Sequence, residues 1–94
     1  MAQVFRLLPS TRFKCDLEDV LKRNREITRK LEPLKMILFH DPYNSSSRYD
    51  IKKLKDVPVG EGQWRIRVGK YRLRYDIIGT DVILYSFKHR KEAY

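Results

Sequence analysis

Two neighbouring runs near the C-terminal end constrain this chain most: Gln63-Trp64-Arg65-Ile66-Arg67-Val68 and Tyr71-Arg72-Leu73-Arg74-Tyr75-Asp76, separated by Gly69-Lys70. Apolar and basic residues alternate in both, and a Gly-X dipeptide between such runs reads as a β-hairpin with a two-residue turn. That register sets Val68 against Tyr71, Arg67 against Arg72, Ile66 against Leu73 and Arg65 against Arg74. Trp64, Ile66, Val68, Tyr71, Leu73 and Tyr75 then share one face, and four arginines share the other. Like charges opposed across strands destabilise a sheet by up to about 1 kcal/mol per pair. A face shaped for solubility alone mixes signs. Four cations together are either an ordinary solvated basic face or, the better reading, a surface that holds a polyanion.

Size and charge agree with that reading. Ninety-four residues form one domain with a single modest core. A 41% hydrophobic and 12% aromatic content fits a folded globule. Twenty-one Lys and Arg against twelve Asp and Glu leave a net charge of +9, which points to nucleic acid or an acidic protein partner. No run approaches the roughly 20 apolar residues of a membrane helix. The segment Val4 to Pro9 is too short and interrupted for a signal-peptide core, so a cytoplasmic protein is expected. Cys15 stands alone, which rules out a disulfide framework and a cysteine metal site, and reads as a small packing residue on a helix.

Residues 3–8 can form a first strand, and Ser10 or Thr11 can cap a helix. Phe13, Leu17, Val20 and Leu21 recur with helical spacing, leaving Lys14, Glu18, Lys22 and Arg25 on the wet side. Asn24 is a candidate cap for a second helix with the stripe Ile27, Leu31, Leu34 and Leu38. Pro33 should kink or divide that helix and Pro42 should stop it. Residues 41–62 read as a long loop, functional or mobile, anchored by Ile51 and Leu54. Within it Lys52, Lys53 and Lys55 either touch phosphates or simply face solvent. The last strand, about Val82 to Lys88, follows a turn at Gly79-Thr80. With that turn Val82, Leu84 and Ser86 face the core, while Tyr85, Phe87 and His89 join Arg72 and Arg74; a one-residue slip reverses the assignment. Tyr85 and Phe87 among arginines make a stacking platform for bases, or else are plain packing. The expected fold is α+β: an antiparallel sheet, made of the N-terminal strand and a C-terminal three-stranded meander, covered on one face by a two-helix hairpin.

The run Trp64 to Tyr75, with the closing His89-Arg90-Lys91-Glu92-Ala93-Tyr94, resembles the signature of the RelE/ParE toxin superfamily. The order of elements is similar over nearly the whole chain, so residues 1–94 are expected to be a single RelE-like toxin domain. The resemblance implies a toxin of a toxin–antitoxin pair. In the RelE branch such toxins cleave messenger RNA on the ribosome without metal or other cofactor; in the ParE branch they poison DNA gyrase. It also implies an acidic, RelB-like antitoxin, a possible toxin–antitoxin heterotetramer, and functional positions at Arg65, Arg67, Arg72, the Arg90 region and Tyr94. Well-known bacterial RelE enzymes carry lysines where Arg65 and Arg67 stand, and space the final tyrosine differently.

Metal-free RNA cleavage uses the 2′-OH as nucleophile on the adjacent phosphate. It needs a base, stabilisation of the charged phosphorane, and an acid for the leaving 5′-oxygen. Arginine stays protonated and cannot be the base. Arg65, Arg67 and Arg72 are therefore clamps, with Arg74, Lys52, Lys53 and Lys55 as further RNA contacts. His89 and Tyr94 are the candidates for proton transfer, though His89 also reads as a surface histidine ending a strand, and Tyr94 as a ring stacked on a base. A nonenzymatic basic domain that binds RNA or an acidic protein is the reading from another class.

Overall fold

Ser10 marks the first change of direction. Its side chain accepts a hydrogen bond from the Phe13 amide at 3.1 Å, capping the helix that follows strand β1 (Arg6–Pro9). The computed structural model describes residues 4–91, so the tail position Tyr94 lies outside the described residues. Helix α1 (Thr11–Arg23) buries Phe13 and Val20 as its spacing predicts, with Asp16 beside them. Cys15 is exposed on this helix and is not a packing residue. Asn24 closes α1 and accepts the Glu26 amide through its side chain at 3.2 Å, so it organises the turn between the helices rather than capping the second.

Helix α2 (Ile27–His40) passes through Pro33 without division. Proline removes one backbone donor there. The stripe Ile27, Leu31, Leu34 and Leu38, all buried, holds the helix on the sheet, and each fully buried side chain contributes about 1.5–3 kcal/mol. Asp41 terminates the helix just before Pro42, as expected.

Four further strands follow: β2 (Ile51–Lys53), β3 (Trp64–Val68), β4 (Tyr71–Ile78) and β5 (Asp81–His89). They join β1 in one five-stranded sheet of order β1-β5-β4-β3-β2. The hairpin register is the predicted one throughout, from Val68 against Tyr71 to Trp64 against Tyr75. Gly69 at φ 59° supplies the left-handed turn conformation that a two-residue hairpin requires. The sheet is mixed, not wholly antiparallel, because β1 runs parallel to β5. No tight turn links these two strands; the whole helical hairpin lies between them in the sequence, as a parallel pairing demands. The fifth strand, β2, arises where a loop was expected: Ile51 to Lys53 pair with Ile66 to Trp64.

The outer edge of β5 beyond β1 is sealed by α1. The Ser10 hydroxyl donates to the Tyr85 carbonyl at 3.1 Å, and buried Asp16 accepts the Phe87 amide at 3.0 Å. These contacts satisfy backbone groups that a free edge would present to other chains.

A candidate anion-binding face

The pleat of β3 and β4 sends Ile66, Val68, Leu73 and Tyr75 into the helical layer and Arg65, Arg67, Arg72 and Arg74 to the opposite side. The arginines differ in environment. Arg67 is exposed, whereas Arg65 and Arg72 are 5% and 9% accessible. The Arg65 Nη1 lies 3.4 Å from Asp50 Oδ1, and Arg67 Nε lies 3.4 Å from Asp50 Oδ2. Arg72 donates through Nη1 to the Tyr71 carbonyl at 3.3 Å. The Nε groups of both Arg65 and Arg72 are buried and meet no acceptor among the described residues. A buried donor without a partner costs about 1–3 kcal/mol, so the fold holds these two guanidiniums in place at some expense of stability.

Arg74 is committed elsewhere. It donates to the Gly62 and Glu61 carbonyls at 3.0 and 2.7 Å, tying down the loop that precedes β3. Asp76, 1% accessible, completes the anchor by accepting the amides of Gly62 and Gln63, each at 3.0 Å. Gly62 sits at φ +74°, and a side chain there would meet the Tyr85 ring at 2.8 Å and Arg74 Cβ at 2.9 Å. Residues 41–50 are ordered by hydrogen bonds as well. The Asp41 carboxylate accepts the Ser45 and Ser46 amides and the Ser46 hydroxyl, while Asn44 and Tyr49 exchange two bonds. This loop delivers Asp50, whose carbonyl accepts the Arg67 amide at 3.2 Å.

The last strand departs from expectation at Tyr85. Arg74 pairs with Ser86 and Tyr75 with Leu84, leaving Tyr85 as the extra residue of a β-bulge. Val82 and Leu84 face the core as predicted, but beyond the bulge the assignment reverses. Phe87 is fully buried and stacks on Tyr71 at 5.3 Å, so it is packing and not a base platform. His89 pairs with Tyr71, across the sheet from the arginines, and its Nδ1 accepts the Lys91 amide at 3.2 Å. Ser86 and Lys88 take the arginine side instead. Tyr85 does meet Arg74, yet the guanidiniums of Arg74 and Arg12 already lie 5.6 and 4.9 Å from its ring centre.

The lysines divide too. Lys52 is paired with Arg65 and shares its face. Lys53 points to the other side, over the Trp64 ring at 5.7 Å. Lys55 is exposed in the following loop, and Arg90 is exposed at the end of β5, its amide donating to the Lys70 carbonyl. Two residues of this face escape the sequence reading. Lys88 stands opposite Arg72 and reaches Asp16 Oδ1 at 2.9 Å. Asp50 could have been found from its alternation with Lys52, which predicts the same side of an extended β2. Chemically, this surface can grip a phosphate through several guanidiniums and stabilise added negative charge on it.

A model of the ParE toxin of type II toxin–antitoxin systems (parDE) matches residues 7–94. The chain belongs to this family, within the RelE/ParE toxins. Among solved structures, YafQ from E. coli strain BL21(DE3) superposes with a TM-score of 0.71 at 14% identity, covering 96% of this chain and 98% of that one. A chain of the archaeal RelE–RelB complex from Pyrococcus horikoshii OT3 gives 0.69 at 19% identity, covering 96% and 99%. The RelB–RelE antitoxin–toxin complex from Methanococcus jannaschii gives 0.55 at 28% identity, covering 93% and 94%. No curated protein matches the sequence significantly. Among the described residues, no helix is long and apolar enough to cross a membrane.

Proposed function

We propose that this toxin is a ribosome-dependent endoribonuclease that cleaves messenger RNA by attack of the 2′-OH on the adjacent phosphate. The observation that carries this reading is the opposed pair Arg67 and Arg72, in register on one face of the sheet beside Arg65. These guanidiniums bind the scissile phosphate and stabilise the phosphorane; Lys52 and Lys88 extend the positive surface. Proton transfer falls to the tail, with Tyr94 as its candidate. His89 stands on the opposite side of the sheet from these arginines, which leaves it a poor candidate for the same step. With so few acid–base groups, in-line positioning comes from the ribosome, a contribution of several kcal/mol.

The partner is an acidic antitoxin, in a heterotetramer and in the cytoplasm. An apolar groove of about 440 Å³ between α1 and α2, lined by Phe13, Leu17, Leu31, Leu34 and Leu38 and rimmed by Lys14 and the Lys35–Glu32 pair, suits an amphipathic helix. A second reading, inhibition of DNA gyrase, is favoured by the ParE family match.

Toeprinting of a translated message separates the two. Wild-type protein should produce cuts in the ribosomal decoding site and Arg72→Gln should produce none. Uncut message together with inhibition of gyrase supercoiling would establish the second reading.

A further inference from the structure

The arginine face carries its own anion. Asp50 spans Arg65 and Arg67 with one carboxylate oxygen at 3.4 Å from each, and is itself 54% exposed in its side chain. Both separations are long for ion pairs, and shared, half-exposed pairs of this kind are weak. The backbone beneath is held differently. The Asp50 carbonyl accepts the Arg67 amide, one strand position before β2, so the side chain can swing away while the main chain stays paired. Arg65, by contrast, is 6% exposed in its side chain and cannot follow. A buried cation left without any counter-charge is strongly unfavourable, which gives Arg65 a standing demand for an anion in the free protein.

We infer that the Asp50 carboxylate occupies the phosphate position of the Arg65–Arg67 clamp in the free toxin, and that an RNA phosphodiester displaces it on binding. Asp50 is thus a positioning residue. It keeps the two guanidiniums oriented and charge-balanced before substrate arrives, and it opposes any anion too weak to compete. The exchange is one anion for another at the same donors. This inference rests on the reading of the arginine face as an RNA-phosphate site.

The test is binding of a short, uncleavable 2′-deoxy-substituted RNA oligonucleotide to the full chain, by fluorescence anisotropy at fixed moderate salt. Asp50→Asn should bind about three- to tenfold more tightly than wild type, the range expected from relieving two partly screened ion pairs. Asp50→Glu, which restores the charge, should return towards wild-type affinity. Most of the gain should vanish when Arg67→Gln is added, because Asp50 acts through that arginine. Unchanged or weaker binding by a folded Asp50→Asn, while Arg72→Gln still abolishes it, would overturn the displacement and leave the phosphate site standing. An Arg72→Gln variant that binds as well as wild type would instead remove the phosphate site itself.

Discussion

Arg67 and Arg72 stand directly opposite each other across β3 and β4, two positive charges in register on one face of the sheet. Opposition of this kind works against folding by up to about 1 kcal/mol. The exposed contact of Arg67 with Asp50 returns only a fraction of that. Arg67→Gln and Arg72→Gln should therefore leave stability unchanged or raise it by up to about 1 kcal/mol, while RNA cleavage falls strongly. Urea denaturation alongside ribosome-programmed cleavage checks both halves. If either change unfolds the protein, the arginines serve the fold.

Asp76 should behave in the opposite way. Its buried carboxylate holds two backbone amides of the loop before β3. Asp76→Asn keeps one acceptor oxygen and turns an amide donor towards the other N–H, so a loss of about 2–3 kcal/mol is expected. Faster proteolysis within residues 54–62 should accompany the lower urea midpoint, since Arg74 and Asp76 anchor that segment together.

Tyr75 sets an alkaline limit. Burial first, and then the charge of Asp41, push its hydroxyl well above the ordinary tyrosine value, against an opposing effect of Arg65. The hydroxyl donates to the Pro42 carbonyl at 2.7 Å. Below pH of about 10 the tyrosine is protonated in folded and unfolded chains alike, and its contribution is fully present. Above that the unfolded chain ionises first, so stability declines as pH rises towards the folded value. Urea midpoints between pH 9 and 11 should show this decline. Tyr75→Phe should lower stability at pH 8 by about 1 kcal/mol and flatten the slope.

How much of this could be read beforehand varied by element. The hairpin was legible residue by residue, because strict alternation around Gly69 leaves one register that buries the apolar set. Helix α1 was legible for the same reason in its stripe, and its cap was narrowed to Ser10 or Thr11, of which Ser10 caps it. Pro33 misled, since local chemistry argues for a break while four buried side chains fix the helix from outside. Strand β2 is three residues long and owes its existence to β3, which no local signal announces. The bulge at Tyr85 left a trace in the apolar positions, which change parity from 82 and 84 to 85 and 87. Lys88 was hidden because its side of the sheet depends on the bulge, and a residue's neighbours across a sheet depend on registers that only folding establishes.

The tail residue Tyr94 admits a sharp test. Removing it should abolish cleavage on programmed ribosomes while leaving ribosome binding nearly intact, because one ring contributes little to a broad, basic, salt-sensitive contact. Single-turnover cleavage and ribosome pelleting, run on the same samples, make the comparison. Full activity without Tyr94 would remove it from the mechanism.

The single extra residue at Tyr85 is a spacer that the ladder steps over. Up to Leu84 odd and even positions follow one rule; after it they follow the reverse. Deleting Tyr85 would make Leu84 and Ser86 neighbours, as their partners Tyr75 and Arg74 already are, so Phe87 would stay beneath the helices and Lys88 beside the arginines on a regular ladder. The bulge thus absorbs one surplus residue without disturbing the facing of the segment that follows, and what its loss would remove is the ring over which Arg12 and Arg74 lie.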